Sequence, residues 1–204
     1  MGVPVTYFRS SSANCHKMCP MKHFLAYGLG YGQKEISNQR ADMGTIFHRV
    51  MEIRAHLKLA DQNGETYDCP ICGNITLDTD IYEIFDKVYD YYVEKFTHHE
   101  WTDAAKDEIK GWINKVITHN NGGLLPDNLD IVAPEGAFEI EIEEDWASYV
   151  YDIDGKHYEG NLKIKGTIDL VIKRDEDTYE IVDWKTGQRK DWATGERKTY
   201  TYLP

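Results

Sequence analysis

The sequence predicts an α/β fold of the α+β type, in which a largely helical part precedes a run of antiparallel strands. Up to residue 118 apolar residues recur with the 3.6-residue period of helices, and from residue 137 they alternate with polar residues, as in strands. Helices followed by strands are typical of α+β proteins. We expect one compact domain, with a mainly helical part over residues 1–130 and the core sheet over residues 131–204.

The helices are predicted from caps and apolar stripes. Ser10–Ser12 resemble an N-cap cluster, and a short helix or two should follow until Gly28–Gly30 ends them. Three more helices are expected over residues 43–60, 80–98 and 102–118. A loop containing Cys69-Pro-Ile-Cys72 separates the first two of these three.

The strands follow the Asn- and Gly-rich segment at residues 120–123. The alternation of apolar and acidic residues in Ala137–Glu143 is typical of a half-exposed strand. Further strands are expected over residues 148–154, 162–173 and 178–185.

Composition places the chain among folded intracellular proteins. It is 41% hydrophobic and has 14 Tyr and 5 Trp, more apolar side chains than disordered chains carry. No run of about 18 apolar residues occurs, and the N-terminus lacks the pattern of a signal peptide. We therefore expect no membrane association and an intracellular, cytoplasmic location. Its four cysteines should then be metal ligands or free thiols.

The net charge of −12 argues against broad, nonspecific affinity for nucleic acid. The charge is uneven, however. The segment from 185 to 198 holds two acidic residues and five basic ones, namely Lys185, Arg189, Lys190, Arg197 and Lys198. The candidate residues for binding nucleic acid are Arg189, Lys190, Arg197 and Lys198.

The predicted hairpin between Gly166 and Gly187 brings charged groups together. With the turn centred on Glu176, Asp169 lies opposite Asp183, and Lys185 shares the face of Asp183. Facing acids destabilise a sheet unless a group of opposite charge compensates, and Mg²⁺ or Mn²⁺ would do so. A lysine there could orient water or stabilise charge on a phosphate. The alternative is a solvated hairpin with an incidental ion pair.

The order Gly-x-x-Asp, charged turn and Ile-Val-Asp-x-Lys-Thr-Gly resembles the PD-(D/E)XK nuclease superfamily, especially its RecB-like exonuclease branch with the CRISPR-associated adaptation nucleases. The resemblance implies a restriction-endonuclease-like core sheet with flanking helices. It also implies that Asp169 and Asp183 are catalytic metal ligands, that the backbone carbonyl of Trp184 binds the metal, and that Lys185 is the catalytic lysine.

Two upstream motifs extend the resemblance. Gly44-Thr-Ile-Phe-His48 is similar to the Gly-x-x-x-His helix of the branch, which implies that His48 is a metal ligand rather than a purely structural residue. Pro134-Glu135 is similar to the position of a glutamate before the first core strand, which implies an accessory role for Glu135.

One motif of the branch has no counterpart here. A helix with Gln-x-x-x-Tyr normally follows Lys-Thr-Gly and contacts DNA, and neither Tyr200 nor Tyr202 has the spacing to replace that tyrosine. We therefore expect a fragment or a shortened member, and a further chain that supplies the helix is one expected partner.

The cysteines form two pairs. Cys69 and Cys72 have the spacing of a zinc knuckle, and Cys15 and Cys19 would lie one turn apart on a helix. Together they would provide four ligands for Zn²⁺ or, as the second choice, for an iron–sulfur cluster, since members of the branch hold such a cluster with one early and three late cysteines and no cysteine follows Cys72 here. Four unrelated thiols are the alternative. The histidines that could replace a thiolate are His16, His23, His98 and His99.

The predicted function is a Mg²⁺- or Mn²⁺-dependent deoxyribonuclease, most simply an exonuclease, acting in DNA repair, recombination or phage DNA processing. DNA is the expected substrate, and a helicase or recombination protein is an expected partner in a bacterial or phage setting. The rival interpretations are a non-catalytic DNA-binding relative and a zinc-stabilised protein-interaction module.

Overall fold

The computed structural model describes residues 5–31 and 37–186. Within these ranges the chain forms five α-helices, with a π-helical turn at Phe24–Gly28 after the second. The helices are α1 (Ser10–Met18), α2 (Pro20–His23), α3 (Gln39–Asn63), α4 (Ile81–Lys95) and α5 (Asp103–Thr118). None of these helices combines the length and the apolar character needed to cross a membrane.

The strands of the described residues belong to three sheets. A central sheet contains β1 (Tyr7–Phe8), β4 (Asp130–Glu141), β7 (Lys163–Lys173) and β8 (Tyr179–Val182). Two separate hairpins consist of β2 (Asp68–Cys69) with β3 (Gly73–Asn74), and of β5 (Ser148–Ile153) with β6 (Lys156–Asn161). The mixed sheet with flanking helices confirms the predicted fold class, which is consistent with a restriction-endonuclease-like fold.

Strand β7 organises the central sheet. It pairs with β4 and β8 antiparallel and with the short β1 parallel. The β7–β8 pairs, from Leu170 with Val182 to Lys173 with Tyr179, confirm a turn centred on Glu176. Gly166 lies under the ring of Phe138 from β4, where a Cβ atom would come within 2.6 Å of ring carbons. The glycine therefore lets the aromatic ring cover β7.

The long helix α3 runs through the middle of the hydrophobic core. Its apolar face contributes fully buried side chains such as Ile46, Val50 and Met51, and the same core contains Phe85 of α4 and Leu170 of β7. Helices and sheet thus share one packed interior. Burial of this kind supplies most of the free energy of folding.

A buried ion pair fixes α3 to the segment before β4. Arg54 is 4% exposed, and its Nε donates to Oδ1 of Asp127 at 3.0 Å while Nη1 donates to the carbonyl of Thr79 at 2.8 Å. Since a buried arginine needs its charge and donors satisfied, this geometry holds the start of β4 at one place along α3.

Several elements differ from the predicted ones. Helix α3 begins at Gln39 rather than 43, because the side chain of Asn38 caps it by accepting from the backbone N–H of Ala41. Strand β4 begins at Asp130 rather than 137, since Pro134 and Gly136 interrupt the alternation that indicates a strand. Strand β6 was not predicted, because its polar residues carry almost no apolar pattern.

Candidate active site

Three acidic residues lie in a row across neighbouring strands. Because Leu170 pairs with Val182, the next position brings Asp169 of β7 opposite Asp183, one residue beyond β8. On the other side, the pairs Pro134–Leu170 and Gly136–Ile168 place Glu135 of β4 opposite Asp169. The row therefore contains Glu135, Asp169 and Asp183, with Asp169 at its centre.

Glu135 has an unusual backbone conformation. Its φ of 46° lies in the left-handed region, which a residue with a long side chain rarely adopts. Such conformations cost on the order of 1–3 kcal/mol and tend to cluster at functional sites. The left-handed conformation and the position in the acidic row make Glu135 a candidate metal ligand rather than an accessory residue.

His48 reaches this row from α3. Its Nδ1 lies 3.3 Å from Oδ2 of Asp169, and the two side chains are only 28% and 17% exposed. His48, Glu135 and Asp169 each offer a ligand atom, and these atoms lie within 4.8 Å of one another. Among the described residues, one other group of three ligating side chains meets that distance.

The Asp-Trp-Lys segment packs against the same carboxylate. The backbone N–H of Trp184 donates to Oδ2 of Asp169 at 3.0 Å, and Nζ of Lys185 donates to Oδ1 of Asp183. The backbone N–H of Trp184 is thus the group that contacts Asp169. Binding of a metal ion by the Trp184 carbonyl stays a prediction. Lys185 is 57% exposed, so its ammonium group is accessible from solvent.

Burial raises the pKa of both central carboxyl groups. The pKa of Asp169 is raised mainly by desolvation, with His48 and the Trp184 amide lowering it and Asp183 raising it. The pKa of Glu135 is raised by desolvation and then by the nearby charges of Glu52 and Asp169. Two mutually repelling, partly desolvated carboxylates favour a bound cation.

A polar cleft of about 400 Å³ opens beside this group. Its lining residues are Arg40, Ala41, Gly44, Thr45, His48, Arg49, Glu52, Glu135 and Thr186. Glu52 of α3 was missed by the sequence interpretation. Its place one turn after His48, on the same face of the helix, is the signal that could have found it. Burial raises the pKa of Glu52, and the charge of its ion-pair partner Arg49 offsets only part of this rise.

Gly44 brings the lysine segment against α3. A Cβ atom at position 44 would lie 3.1 Å from Oγ1 of Thr186, the residue after Lys185. We expect Gly44→Ala to move this segment and to lower the catalytic activity of the candidate site about tenfold, while the free energy of unfolding changes by less than about 1 kcal/mol because alanine favours the helix. Activity and urea denaturation measure the two effects.

Gly111 provides the matched control for that substitution. It lies inside α5, and a Cβ atom there would meet nothing within 4 Å. Gly111→Ala should stabilise the protein by up to about 1 kcal/mol without a change in activity. Equal activity in both alanine variants would disprove the role of Gly44.

The raised pKa of Glu135 predicts how stability depends on pH. A carboxyl group whose pKa is higher in the folded state destabilises that state once ionised, and the cost disappears as pH falls towards the unfolded value of about 4.3. We expect Glu135→Gln in EDTA to be more stable than the parent at pH 7.5, with the difference shrinking at pH 4.5. Urea denaturation at the two pH values measures this.

Glu139 provides a control of opposite sign. Hydrogen bonds from Lys163 and Lys165 lower the pKa of Glu139 to about 2. Glu139→Gln should therefore slightly destabilise the protein at pH 7.5, where the charged form is favoured in the folded state. Stabilisation by both substitutions would point to a general effect of removing negative charge rather than to the site.

The structure does not bring the four cysteines together. Cys15 and Cys19 lie at α1 and α2, whereas Cys69 and Cys72 form the β2–β3 turn, in which the N–H of Cys72 donates to Sγ of Cys69. Neither group of metal-ligating side chains in the described residues contains a cysteine. Desolvation and the neighbouring Cys69 raise the pKa of Cys72 to about 12, which favours its neutral thiol.

The candidate DNA-binding residues Arg189, Lys190, Arg197 and Lys198 lie outside the described residues, as do Tyr200 and Tyr202.

Comparison with known proteins identifies the family of the chain. A family model for the PD-(D/E)XK nuclease superfamily matches residues 10–201. No curated protein and no solved structure shows a significant match to the chain. The family match spans α1, the His48 helix and all the strands of the acidic row. The chain therefore belongs to the PD-(D/E)XK nuclease superfamily.

Proposed function

We propose that the protein hydrolyses phosphodiester bonds in DNA with the help of Mg²⁺ or Mn²⁺. The observation that carries the proposal is the convergence of His48, Glu135 and Asp169 on one point beside a polar cleft. Superfamily membership supports metal-dependent nuclease chemistry, since PD-(D/E)XK nucleases use divalent metals.

The residues fit a hard divalent cation. Two carboxylates and an imidazole offer mainly oxygen ligands, which Mg²⁺ and Mn²⁺ prefer, and the open cleft leaves room for water. Burial and neighbouring carboxylates raise the pKa of Glu135 and of Asp169, so a bound cation would stabilise the charged form of both groups. We propose that His48, Glu135 and Asp169 hold the ion, with Asp183 and the Trp184 carbonyl as further ligands.

The cation would supply neutralisation of phosphate charge and a lowered pKa for an attacking water. The protein's own groups have separate tasks. The Trp184 amide orients the Asp169 carboxylate through its hydrogen bond, and Lys185 provides an exposed cationic donor that is hydrogen-bonded to Asp183 at the end of the row. We propose that Lys185 positions the water or stabilises charge on the phosphate in the transition state.

The finer assignment rests on the motifs. Gly44–His48 and the Asp183–Gly187 run resemble the RecB-like branch, which supports exonuclease action in repair, recombination or phage DNA processing, alongside a helicase or recombination protein. Products would then carry 5′-phosphates.

A cleavage assay tests the proposal. End-labelled linear DNA and closed circular DNA are incubated with Mg²⁺, Mn²⁺ or EDTA, beside Asp183→Ala and the control Asp152→Ala on the exposed β5 strand. We expect degradation of linear DNA with either metal, none with EDTA, and strong loss only in Asp183→Ala. Metal binding without any cleavage would contradict the proposal and favour a non-catalytic relative.

A further inference from the structure

A second cluster of metal-ligating side chains lies at the start of α3, away from the acidic row. Asp42 belongs to the first turn of α3, and His98 and His99 lie in the turn between α4 and α5. The three ligand atoms come within 4.8 Å of one another. We propose that Asp42, His98 and His99 form a binding site for a transition-metal dication of the zinc class.

The contacts converge on one carboxylate oxygen. Oδ2 of Asp42 lies 2.7 Å from Nε2 of His99 and 3.3 Å from Nε2 of His98, and it also accepts from Oγ of Ser37 at 2.6 Å. The two imidazole rings lie side by side, with centroids 4.0 Å apart. Both histidines therefore present the same ring nitrogen to the same point.

The side chains of this group are mostly buried. The side chain of Asp42 is 6% exposed and that of His99 is 11% exposed, whereas His98 is 32% exposed. No lysine or arginine of the described residues forms an ion pair with Asp42. The partners of this buried carboxylate are therefore Ser37 and the two imidazoles, and the partial exposure of His98 leaves a path for an ion from solvent.

The donor set selects the class of ion. Two histidine nitrogens and one carboxylate oxygen form a typical three-ligand set for Zn²⁺. Imidazole is also a better ligand for the later first-row transition metals than for Mg²⁺. Ligands of a tetrahedral zinc ion at about 2.0–2.1 Å lie roughly 3.3 Å apart. The distance from Nε2 of His98 to Oδ2 of Asp42 is already 3.3 Å. The distance from Nε2 of His99 to the same oxygen is 2.7 Å, so these two atoms would have to move apart by 0.6 Å, the difference between 3.3 and 2.7 Å. The hydroxyl of Ser37 or a water completes the set.

A metal at this place would join two parts of the helical layer. It would connect the first turn of α3 to the α4–α5 turn. Asp42 lies six residues before His48 on α3, which is on the order of 9 Å along the helix axis. The expected role is structural, and it does not depend on nuclease activity. The sequence interpretation treated His98 and His99 as substitutes for cysteine thiolates, whereas their structural neighbour is Asp42.

Zinc and cobalt binding test the proposal. The full chain is stripped with chelator, titrated with Zn²⁺ by calorimetry, and its bound Zn²⁺ is counted after dialysis. We expect His99→Gln, and separately the more exposed His98→Gln, to lose one equivalent of Zn²⁺ or at least about tenfold in affinity. Zinc should also raise the Tm of the parent more than that of either variant.

Three comparisons separate this site from the others. Asp169→Asn should keep the zinc equivalent, since it alters only the acidic row. His157→Gln, which removes a histidine paired with Asp152 and Glu159 on the exposed hairpin, should also keep it. Co²⁺ in place of Zn²⁺ should give d–d bands without thiolate charge-transfer bands, because no cysteine takes part.

Parent-like zinc stoichiometry and affinity in both His98→Gln and His99→Gln would overturn the proposal. The same conclusion follows if the stripped parent takes up no Zn²⁺, or if its Co²⁺ complex shows thiolate bands. The trio would then be only a hydrogen-bonded clamp between α3 and the α4–α5 turn.

Discussion

Asp169→Asn is expected to lower Mg²⁺-dependent cleavage by roughly 10³-fold or more, because the substitution removes the charge at the centre of the acidic row. Stabilisation of the transition state by a bound cation is worth several kcal/mol, and each 1.4 kcal/mol is about tenfold in rate. Asparagine keeps the size of the side chain and an acceptor for the Trp184 amide, so the fold should persist. Initial rates on labelled DNA at saturating Mg²⁺ measure the effect.

Asp152→Asn is the matched control for this prediction, since Asp152 is an exposed aspartate that also contacts a histidine. Its activity should equal that of the parent. If Asp169→Asn retained more than about a tenth of the parental rate, the acidic row would not be the catalytic centre. Tm values and far-UV circular dichroism of both variants exclude misfolding as the cause.

Lys185→Ala should reduce kcat about 10²–10³-fold with little change in metal affinity. A positioned donor that stabilises transition-state charge typically accounts for a loss of this size, and Lys185 forms a hydrogen bond to Asp183 without belonging to the group of three ligating atoms. Single-turnover cleavage measures kcat, and calorimetry with Mn²⁺ measures metal affinity.

Lys156→Ala, on the exposed β6 strand, controls for the general loss of a positive charge. It should cleave at the parental rate. A Lys185→Ala variant that cleaves as fast as Lys156→Ala would remove the proposed role of the lysine, and a variant that loses Mn²⁺ affinity instead would show that Lys185 acts by holding Asp183 in place.

The amino-acid sequence was sufficient to predict those features of the fold and site that depend on residues close together in the chain. The polar turn around Glu176 sets the β7–β8 register by symmetry, so the meeting of Asp169 with Asp183 follows from counting residues. The helix that carries His48 follows from its apolar period, and only its start, which depends on the Asn38 cap, was displaced.

The remaining features depend on contacts between distant segments. Glu135 faces Asp169 because of how β4 pairs with β7. The pairing includes a bulge near Val132 in β4 and an unusual φ at Glu135 itself. No local pattern encodes such a pairing. The meeting of Asp42 with His98 and His99 likewise depends on how the α4–α5 turn packs on α3, which neither segment specifies alone.

The most direct test of the account is the position of Mn²⁺ in crystals of the protein soaked with MnCl₂, read from anomalous diffraction at the manganese edge. The account predicts an anomalous peak within bonding distance of His48, Glu135 and Asp169, and its disappearance in Asp169→Asn crystals. Fully occupied Mn²⁺ elsewhere, with no peak at these three side chains, would contradict it.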